Sequence, residues 1–318
     1  MAVHTQLSKA NINEIIQNYS LGELKNFNGI KDGIENTNYL IITETNKFII
    51  TIFEQRVDTS NIPFYFEVMI NSNSFGINCP IPIKSTNGEY VTEIKKKKMA
   101  VFNFLLGSSR KKWSDNDCYI IGEKLARFHL ANLRNQLSLK NQFSIQFWNE
   151  IFHKCKKQIN NIIPNSIQII ESECKHLTKN WPNKLPSGVI HADLFPDNVF
   201  FQENKISGFL DFYFSCNDYF SYDLAICINA WCFPEKEFDR NLFKSLLSGY
   251  QSIRKLEVEE KECLNILLRG ASLRFFFTRI HDAIFGTEGK YLKKKDPKEF
   301  FNILNFHMSV NSNNFYFG

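Results

Sequence analysis

Several patterns that mark other classes of protein are missing from this chain of 318 residues. None of its eight cysteines forms a C-x-x-C pair or a Cys/His cluster with zinc spacing, which excludes the common structural zinc sites. The N-terminus lacks a basic start followed by an apolar core, and no apolar run approaches the ~18 residues of a membrane span. The sequence therefore predicts a cytoplasmic protein with reduced, buried cysteines and no membrane segment.

A concentrated charge of one sign is also missing. The net charge is +5, and the dense basic runs are short, at residues 95–98, 110–112 and 293–295. Nucleic-acid binders usually gather basic residues on one face, whereas short isolated runs are usually solvated loops. No nucleic-acid partner is expected.

The residue patterns change character along the chain. Residues 8–19 and 61–75 have helical periodicity, and "ELKNFNGI", "TNYLIITE" and "KFIITIFE" read as strands joined by turns. Residues 114–135, 144–180, 219–285 and 297–310 are helical by period. We therefore expect a small, mostly β lobe over residues 1–105, followed by a larger, mainly helical lobe over residues 106–318.

The stretch "IHADLFPDNVF" places polar side chains inside an apolar segment, where they cost free energy unless they are paired or used. Its spacing, His191-x-Asp193-x-x-x-x-Asn198 followed by Asp211 after a strand, is typical of ATP-dependent kinases. Asp193 suits the catalytic base that orients an acceptor hydroxyl and takes its proton. Asn198 and Asp211 supply the hard oxygen ligands that Mg²⁺ prefers.

Two further polar residues are predicted to support this loop. His191 is expected to brace it by packing and hydrogen bonding. Asp223, near the start of a predicted helix, is either a helix cap or an acceptor of backbone hydrogen bonds from the catalytic loop. Both roles are structural.

The glycines of "FNGIKDGIENTNYLI" lie between two predicted strands. Taken alone, the two glycines favour a simple hairpin turn. Together with the downstream motif they favour a flap over ATP, in which Gly29 and Gly33 let backbone N–H groups approach the phosphates closely. Asn36 and Asn38 are candidates for contacts to phosphate or acceptor. Kinases usually carry a lysine on the third strand, but Thr51 stands there, so Lys47 at the start of that strand is the candidate cation.

Together, "GVIHADLFPDNVFF", "GFLDFYFSCNDYFSYDLAICINAWCF", "GIENTNYLI" and "LRFFFTR" resemble the homoserine kinases of the aminoglycoside-phosphotransferase and choline-kinase superfamily. The resemblance covers nearly the whole chain. It implies an α+β, two-lobed protein-kinase-like fold, with a small antiparallel β lobe carrying one helix and a larger helical lobe. It also implies ATP and Mg²⁺ as cofactors, L-homoserine as acceptor and a place in threonine biosynthesis.

An acceptor with a carboxylate and an ammonium group needs a cation and an acid to bind it. Arginine suits a bidentate carboxylate clamp, so Arg274 and Arg279 are candidates, with a surface position as the alternative for each. Tyr213 and Asp218 are candidates for the ammonium end. Two alternatives stay open: a kinase for choline, methylthioribose or an aminoglycoside, and a non-catalytic nucleotide-binding relative.

Overall fold

The computed structural model describes residues 4–30, 36–54, 58–203, 205–286, 295–312 and 314–318. These residues form two compact units. Within the described part, the first unit contains residues 4–108 and 200–213, and the second contains residues 109–199, 214–286 and 295–318.

The first unit is built on an antiparallel sheet. Its strands are β1 (Leu24–Ile30), β2 (Thr37–Thr43), β3 (Lys47–Ile52), β4 (Pro82–Ile83), β5 (Thr92–Ile94) and β6 (Lys97–Asn103). The strand order is β1-β2-β3-β6-β4, with β5 also paired to β6. The three predicted N-terminal strands are confirmed.

Two helices of this unit, α1 (Lys9–Asn18) and α2 (Ile62–Ser74), pack against the sheet. The apolar face of α1 joins a core with Tyr39, Ile41 and Val101 of the sheet. Because side chains alternate across a strand, Phe102 points away from Val101, and its ring packs edge-on against Phe66 of α2 at 5.5 Å between centroids. Both helices are confirmed from their periodicity at residues 8–19 and 61–75, so the unit has one helix more than the resemblance implied.

The second unit is mainly helical. Its helices are α3 (Asp115–Ala131), α4 (Ile145–Ile162), α5 (Ile167–Asn180), α6 (Phe220–Trp231), α7 (Arg240–Ile253), α8 (Val258–Glu262), α9 (Leu264–Phe285), α10 (Pro297–Ser309) and α11 (Asn314–Phe317). Strand β7 (Ser187–Ile190) pairs antiparallel with β10 (Cys216–Tyr219). The strands between them in the chain, β8 (Val199–Gln202) and β9 (Lys205–Phe209), pair with each other and, apart from Val199, belong to the first unit.

Residues 144–180, which the periodicity predicted to be helical, form two helices. The first helix ends at Ile162 and the next begins at Ile167. Pro164 lies in the break, and Asn165 adopts a left-handed φ of 61°, a conformation that asparagine tolerates better than most residues. The periodicity alone could not show this corner because the apolar spacing is similar on both sides.

Helices α3 and α7 approach each other closely through glycine. A Cβ atom added to Gly249 would lie 1.9 Å from the carbonyl oxygen of Tyr119, and one added to Gly122 would lie 2.0 Å from that of Leu246. These contacts are with backbone, which cannot rotate away as a side chain can. The absence of a side chain at both positions therefore sets the distance between the two helices.

Substituting Gly249→Ala should lower the free energy of unfolding by roughly 1–3 kcal/mol, because the clash outweighs the better helix propensity of alanine. Ser248→Ala, at the exposed neighbouring position, is the matched control and should change it by less than about 0.5 kcal/mol. Urea unfolding of the two variants measures the difference. Equal midpoints would show that the helices can separate without cost.

The C-terminal helices are joined by a buried histidine. His307 is fully buried, with Nδ1 2.8 Å from the hydroxyl of Tyr316 and Nε2 2.9 Å from Oδ1 of Asn229. The amide oxygen can only accept, so Nε2 carries the proton and Nδ1 accepts from the tyrosine. Burial lowers the pKa of His307 to about 3, which keeps the ring neutral at ordinary pH.

Because the pKa of His307 is lower in the folded state than in the unfolded chain, its stabilisation is present above about pH 6.5 and is lost as the pH falls toward 3. Between pH 7 and pH 5, this residue should account for a loss of roughly 2 kcal/mol in the free energy of unfolding. His307→Gln should remove that part of the pH dependence in urea titrations. An unchanged pH dependence in the variant would contradict the assignment.

Candidate active site

The segment after β7 forms a tight loop around Asp193. Ala192 has a left-handed φ of 64°, which turns the chain sharply before Asp193. The side-chain nitrogen of Asn198 donates to the backbone oxygen of Asp193 at 2.8 Å and to its carboxylate oxygen Oδ2 at 2.9 Å. These two bonds fix the direction of the Asp193 carboxylate and reserve the amide oxygen of Asn198 for another partner.

Asp223 anchors this loop through hydrogen bonds. Its two carboxylate oxygens accept hydrogen bonds from the backbone N–H groups of His191 and Ala192, both at 2.8 Å. It lies inside α6, one turn after the helix starts, and the cap position is taken by Tyr219 without a side-chain bond. Asp223 therefore anchors the catalytic loop rather than capping its own helix.

His129 supports Asp223 from α3. Its Nε2 lies 3.0 Å from Oδ2 of Asp223, and its Nδ1 lies 2.8 Å from the hydroxyl of Tyr250. Burial lowers the pKa of His129, so the neutral ring donates to Asp223 and accepts from Tyr250. Burial alone would raise the pKa of Asp223, but hydrogen bonds from His129 and from the His191 backbone hold it below its usual value.

Arg274 of α9 contacts the same loop. Its guanidinium donates through Nη1 to the backbone oxygen of Ala192. The side chain is only 2% exposed and lies against the rings of Phe143, Phe214 and Phe275, at 5.2, 5.9 and 4.6 Å from their centroids. The sequence indicated an arginine among phenylalanines, but its bond to the residue before Asp193 was not predicted.

Asp211 belongs to the first unit. The strand before it is held close to Asn78, because the N–H of Phe209 donates to the Asn78 carbonyl at 2.9 Å and a Cβ on Gly208 would come within 2.3 Å of that oxygen. Asp211 itself has a left-handed φ of 59°, so its side chain leaves the strand at a sharp turn.

The predicted metal ligands are the amide oxygen of Asn198 and the carboxylate of Asp211. Both are hard oxygen donors, which suit Mg²⁺ and do not suit softer metals. Among the described residues, no group of three or more His, Cys, Asp or Glu side chains is arranged to hold a metal ion. A site with one carboxylate and one amide is compatible with that finding, since phosphate oxygens and water complete such sites.

The predicted nucleotide-site residues have separate contacts in the first unit. Gly29 lies in β1 opposite Tyr39, and Asn36 accepts a hydrogen bond from the N–H of Glu54 at 3.3 Å. Lys47 is exposed, with Nζ 5.6 Å from the centre of the Phe104 ring. Gly33 lies outside the described residues.

Thr51 occupies the third-strand position where kinases usually carry lysine. It is buried, and its hydroxyl donates to Oδ1 of Asn38 on the adjacent strand at 2.8 Å. The chain thus replaces a cation by a neutral link between two strands, and this link orients the Asn38 amide.

An ion pair that the sequence did not reveal lies beyond the end of β3. Lys97 pairs with Glu54, whose other carboxylate oxygen accepts from the hydroxyls of Thr5 at 2.7 Å and Thr37 at 2.8 Å. Burial opposes ionisation of Glu54, but the bonds from Lys97 and the threonines hold its pKa below the usual value. The four residues are distant in sequence, so only the folded sheet could show the cluster.

The predicted acceptor-site residues make different contacts and lie in different units. Arg279 donates to the carbonyl of Asp296 at 2.9 Å and pairs with the carboxylate of Glu299 at 2.7 Å. Tyr213 belongs to the first unit, where its ring packs edge-on against Phe53 and Tyr65. Asp218 lies in the second unit on β10, as does Arg274 on α9.

Known proteins resemble this chain over almost its full length. A sequence profile of the phosphotransferase enzyme family matches residues 26–256. Homoserine kinases from Parvibaculum lavamentivorans and Rhodopseudomonas palustris are 39% and 40% identical over 313 residues, which is 98% of this chain and 98% and 96% of those proteins. This chain belongs to the homoserine kinase family. The family expected from the sequence motifs is confirmed.

Solved structures agree on the fold of this homoserine kinase family member. A spectinomycin phosphotransferase in complex with ADP and spectinomycin aligns with a TM-score of 0.74, at 14% identity, over 96% of this chain and 99% of that one. A choline kinase from Cryptosporidium parvum aligns with a TM-score of 0.67, also at 14% identity, over 95% and 94%. The expected α+β, protein-kinase-like fold is confirmed.

Asp223→Asn tests the anchor of the catalytic loop. The new amide nitrogen would face a donor N–H, so we expect the free energy of unfolding to fall by at least about 2 kcal/mol and kcat to fall with it. Asp115→Asn, at an exposed position in the first turn of α3, should leave both nearly unchanged. Denaturant unfolding and turnover assays measure the two effects, and wild-type kcat in Asp223→Asn would refute the anchoring role.

Proposed function

We propose that this chain transfers the γ-phosphoryl group of ATP to the side-chain hydroxyl of L-homoserine, giving O-phospho-L-homoserine. The observation that carries the proposal is the 39% identity with a curated homoserine kinase over 98% of both chains. The ordered loop around Asp193 and Asn198 supplies matching chemistry.

In this reaction Asp193 is the catalytic base. Its carboxylate, directed by the Asn198 amide, accepts the proton of the acceptor hydroxyl and holds the oxygen in line for attack. Phosphoryl transfer needs little covalent help from the protein, so positioning is the main contribution of this loop. His191 and Asp223 act through the loop as supports, since neither needs to touch the substrate.

Mg²⁺ is the proposed metal, with Asn198 and Asp211 as its protein ligands. When bound, it neutralises phosphate charge. The N-terminal lobe of residues 1–105 is the proposed nucleotide-binding lobe, with Gly29, Gly33, Asn36, Asn38 and Lys47 near the phosphates. Residues 106–318 form the proposed catalytic and acceptor-binding lobe.

The acceptor is recognised by its charged groups in this proposal, through Tyr213, Asp218, Arg274 and Arg279. Arg274 is the strongest candidate for the carboxylate, because it is buried and pairs with no acid in the described part of the chain. Arg279 already binds Glu299. A buried cation disfavours choline and aminoglycosides, which are themselves cationic, as acceptors.

The cellular setting follows from the same proposal: a cytoplasmic enzyme of threonine biosynthesis. All eight cysteines are free thiols, and seven are buried, as expected in a reducing compartment. No helix in the described ranges combines the length and apolarity needed to cross a bilayer.

Asp193→Asn should lower kcat with Mg²⁺-ATP and L-homoserine by about 10²–10⁴-fold, because the amide cannot accept the hydroxyl proton. ADP release in a coupled assay measures this loss, with choline, methylthioribose and kanamycin offered separately to the wild type. Asp197→Asn is the matched control, since Asp197 is exposed and pairs only with Lys295 in the described region. We expect it to retain activity.

The results of this assay distinguish the candidate acceptors and the non-catalytic alternative. Turnover of L-homoserine alone, lost in Asp193→Asn, supports both the acceptor and the base. Turnover of another compound would replace the acceptor and keep the mechanism. ATP binding without turnover of any acceptor would favour the non-catalytic alternative, for which the buried Thr51 would be the first position to examine.

A further inference from the structure

Two charged side chains in the second unit, the buried Arg274 and the half-buried Asp218, have no ionic partner among the described residues. The side chain of Arg274 makes one hydrogen bond in this part of the chain, to the Ala192 carbonyl, and its Nε has no partner there. Asp218 accepts from the side chain of Asn141 and from the backbone of Tyr219, both at 2.7 Å. A carboxylate accepts about four hydrogen bonds, so Asp218 keeps acceptor positions for a ligand.

Each of these charges acts on the other without a direct bond. Burial raises the pKa of Asp218, while the Asn141 amide, the Tyr219 N–H and the charge of Arg274 oppose that rise. No ion pair joins the two side chains in the described part of the chain. Unpaired buried charges destabilise a fold, which favours a ligand that pairs with both.

A cavity of about 310 Å³ lies beside Asp218. Its walls include the rings of Trp148, Trp181, Tyr219 and Tyr222. Aromatic rings around a carboxylate attract organic cations through their negative faces. The hydroxyl of Tyr222 is buried and has no hydrogen-bond partner in the ranges described, so this wall also offers a donor.

The same two charges are tied to the catalytic loop. Arg274 bonds to Ala192, the residue directly before Asp193. Asp218 stands opposite Gly188 in the pairing of β10 with β7, the strand that leads into the loop. Both charged residues are therefore linked to the segment that carries Asp193.

We infer that Asp218 and Arg274 bind the ammonium and the carboxylate of an α-amino acid acceptor, with the ammonium in the aromatic cavity beside Asp218. The inference rests on the proposed function and specifies how the acceptor is selected. An amino alcohol satisfies only Asp218, and a hydroxy acid satisfies only Arg274. Each would leave one of the two charges unpaired, so the full zwitterion binds best.

The test compares three molecules that share the hydroxyl-bearing chain. L-homoserine carries both charges, 3-aminopropan-1-ol lacks the carboxylate, and 4-hydroxybutanoate lacks the ammonium. The KM for L-homoserine and the inhibition constants of the other two, as competitors, are measured for wild type and Asp218→Asn. We expect the variant to raise the first two constants about 10- to 100-fold and to leave the 4-hydroxybutanoate constant unchanged.

Two further variants exclude a general disturbance. Asp282→Asn, whose side chain is 59% exposed on α9, should leave all three constants unchanged. Tyr222→Phe removes only the unpartnered hydroxyl and should raise the KM for L-homoserine with little effect on kcat. An equal rise of all three constants in Asp218→Asn, or no rise at all, would overturn the inference while leaving the kinase activity in place.

Failure of the proposed function can be distinguished from failure of this inference. If wild type does not phosphorylate L-homoserine, binding of 3-aminopropan-1-ol is followed through the fluorescence of the cavity tryptophans. Quenching in wild type that is lost in Asp218→Asn would still support the ammonium site. Identical titrations of both proteins would refute it.

Discussion

The carboxylate of Asp223 is the interaction on which the catalytic loop depends. It is fully buried and accepts two backbone N–H groups and the His129 ring. A left-handed residue such as Ala192 persists only where surrounding bonds over-determine its conformation. Asp223 supplies those bonds, and His129 and Tyr250 of α3 and α7 keep the carboxylate in place. The close packing of these two helices thereby supports the position of Asp193.

The second unit contains two kinds of arrangement of charged side chains, one paired and one unpaired among the described residues. Glu173 and Arg269 form a buried pair that satisfies both partners, and Arg254 does the same with Glu260. The buried Arg274 and the half-buried Asp218 have no such pairing among the described residues. These two charges are the ones for which we propose a ligand that carries both charges.

The sheet unit lacks the lysine that kinases usually carry on the third strand, and a hydrogen bond between neutral side chains takes its place. Thr51 replaces a third-strand cation with a hydroxyl that binds Asn38. The Lys97–Glu54 pair, with Thr5 and Thr37, instead places a charged cluster where the N-terminal segment meets the sheet. Asp211 leaves a strand that is fixed to Asn78 of the same unit. The strand that leads to Asp211 is therefore held within the sheet unit.

The sequence by itself determined the elements and the chemistry. Alternating apolar residues predicted β1, β2 and β3, and the spacing of His191, Asp193, Asn198 and Asp211 indicated phosphoryl transfer, because such local patterns involve residues close in the chain. Only the tertiary structure decided the rest. It ended the helix at Ile162, brought His129 to Asp223 and Arg274 to Ala192, and left Asp218 beside an aromatic cavity. These contacts join residues separated by about 80 to 100 positions. The residues next to a side chain in the sequence do not determine which distant residue it contacts after folding. Such contacts therefore cannot be predicted from local sequence patterns.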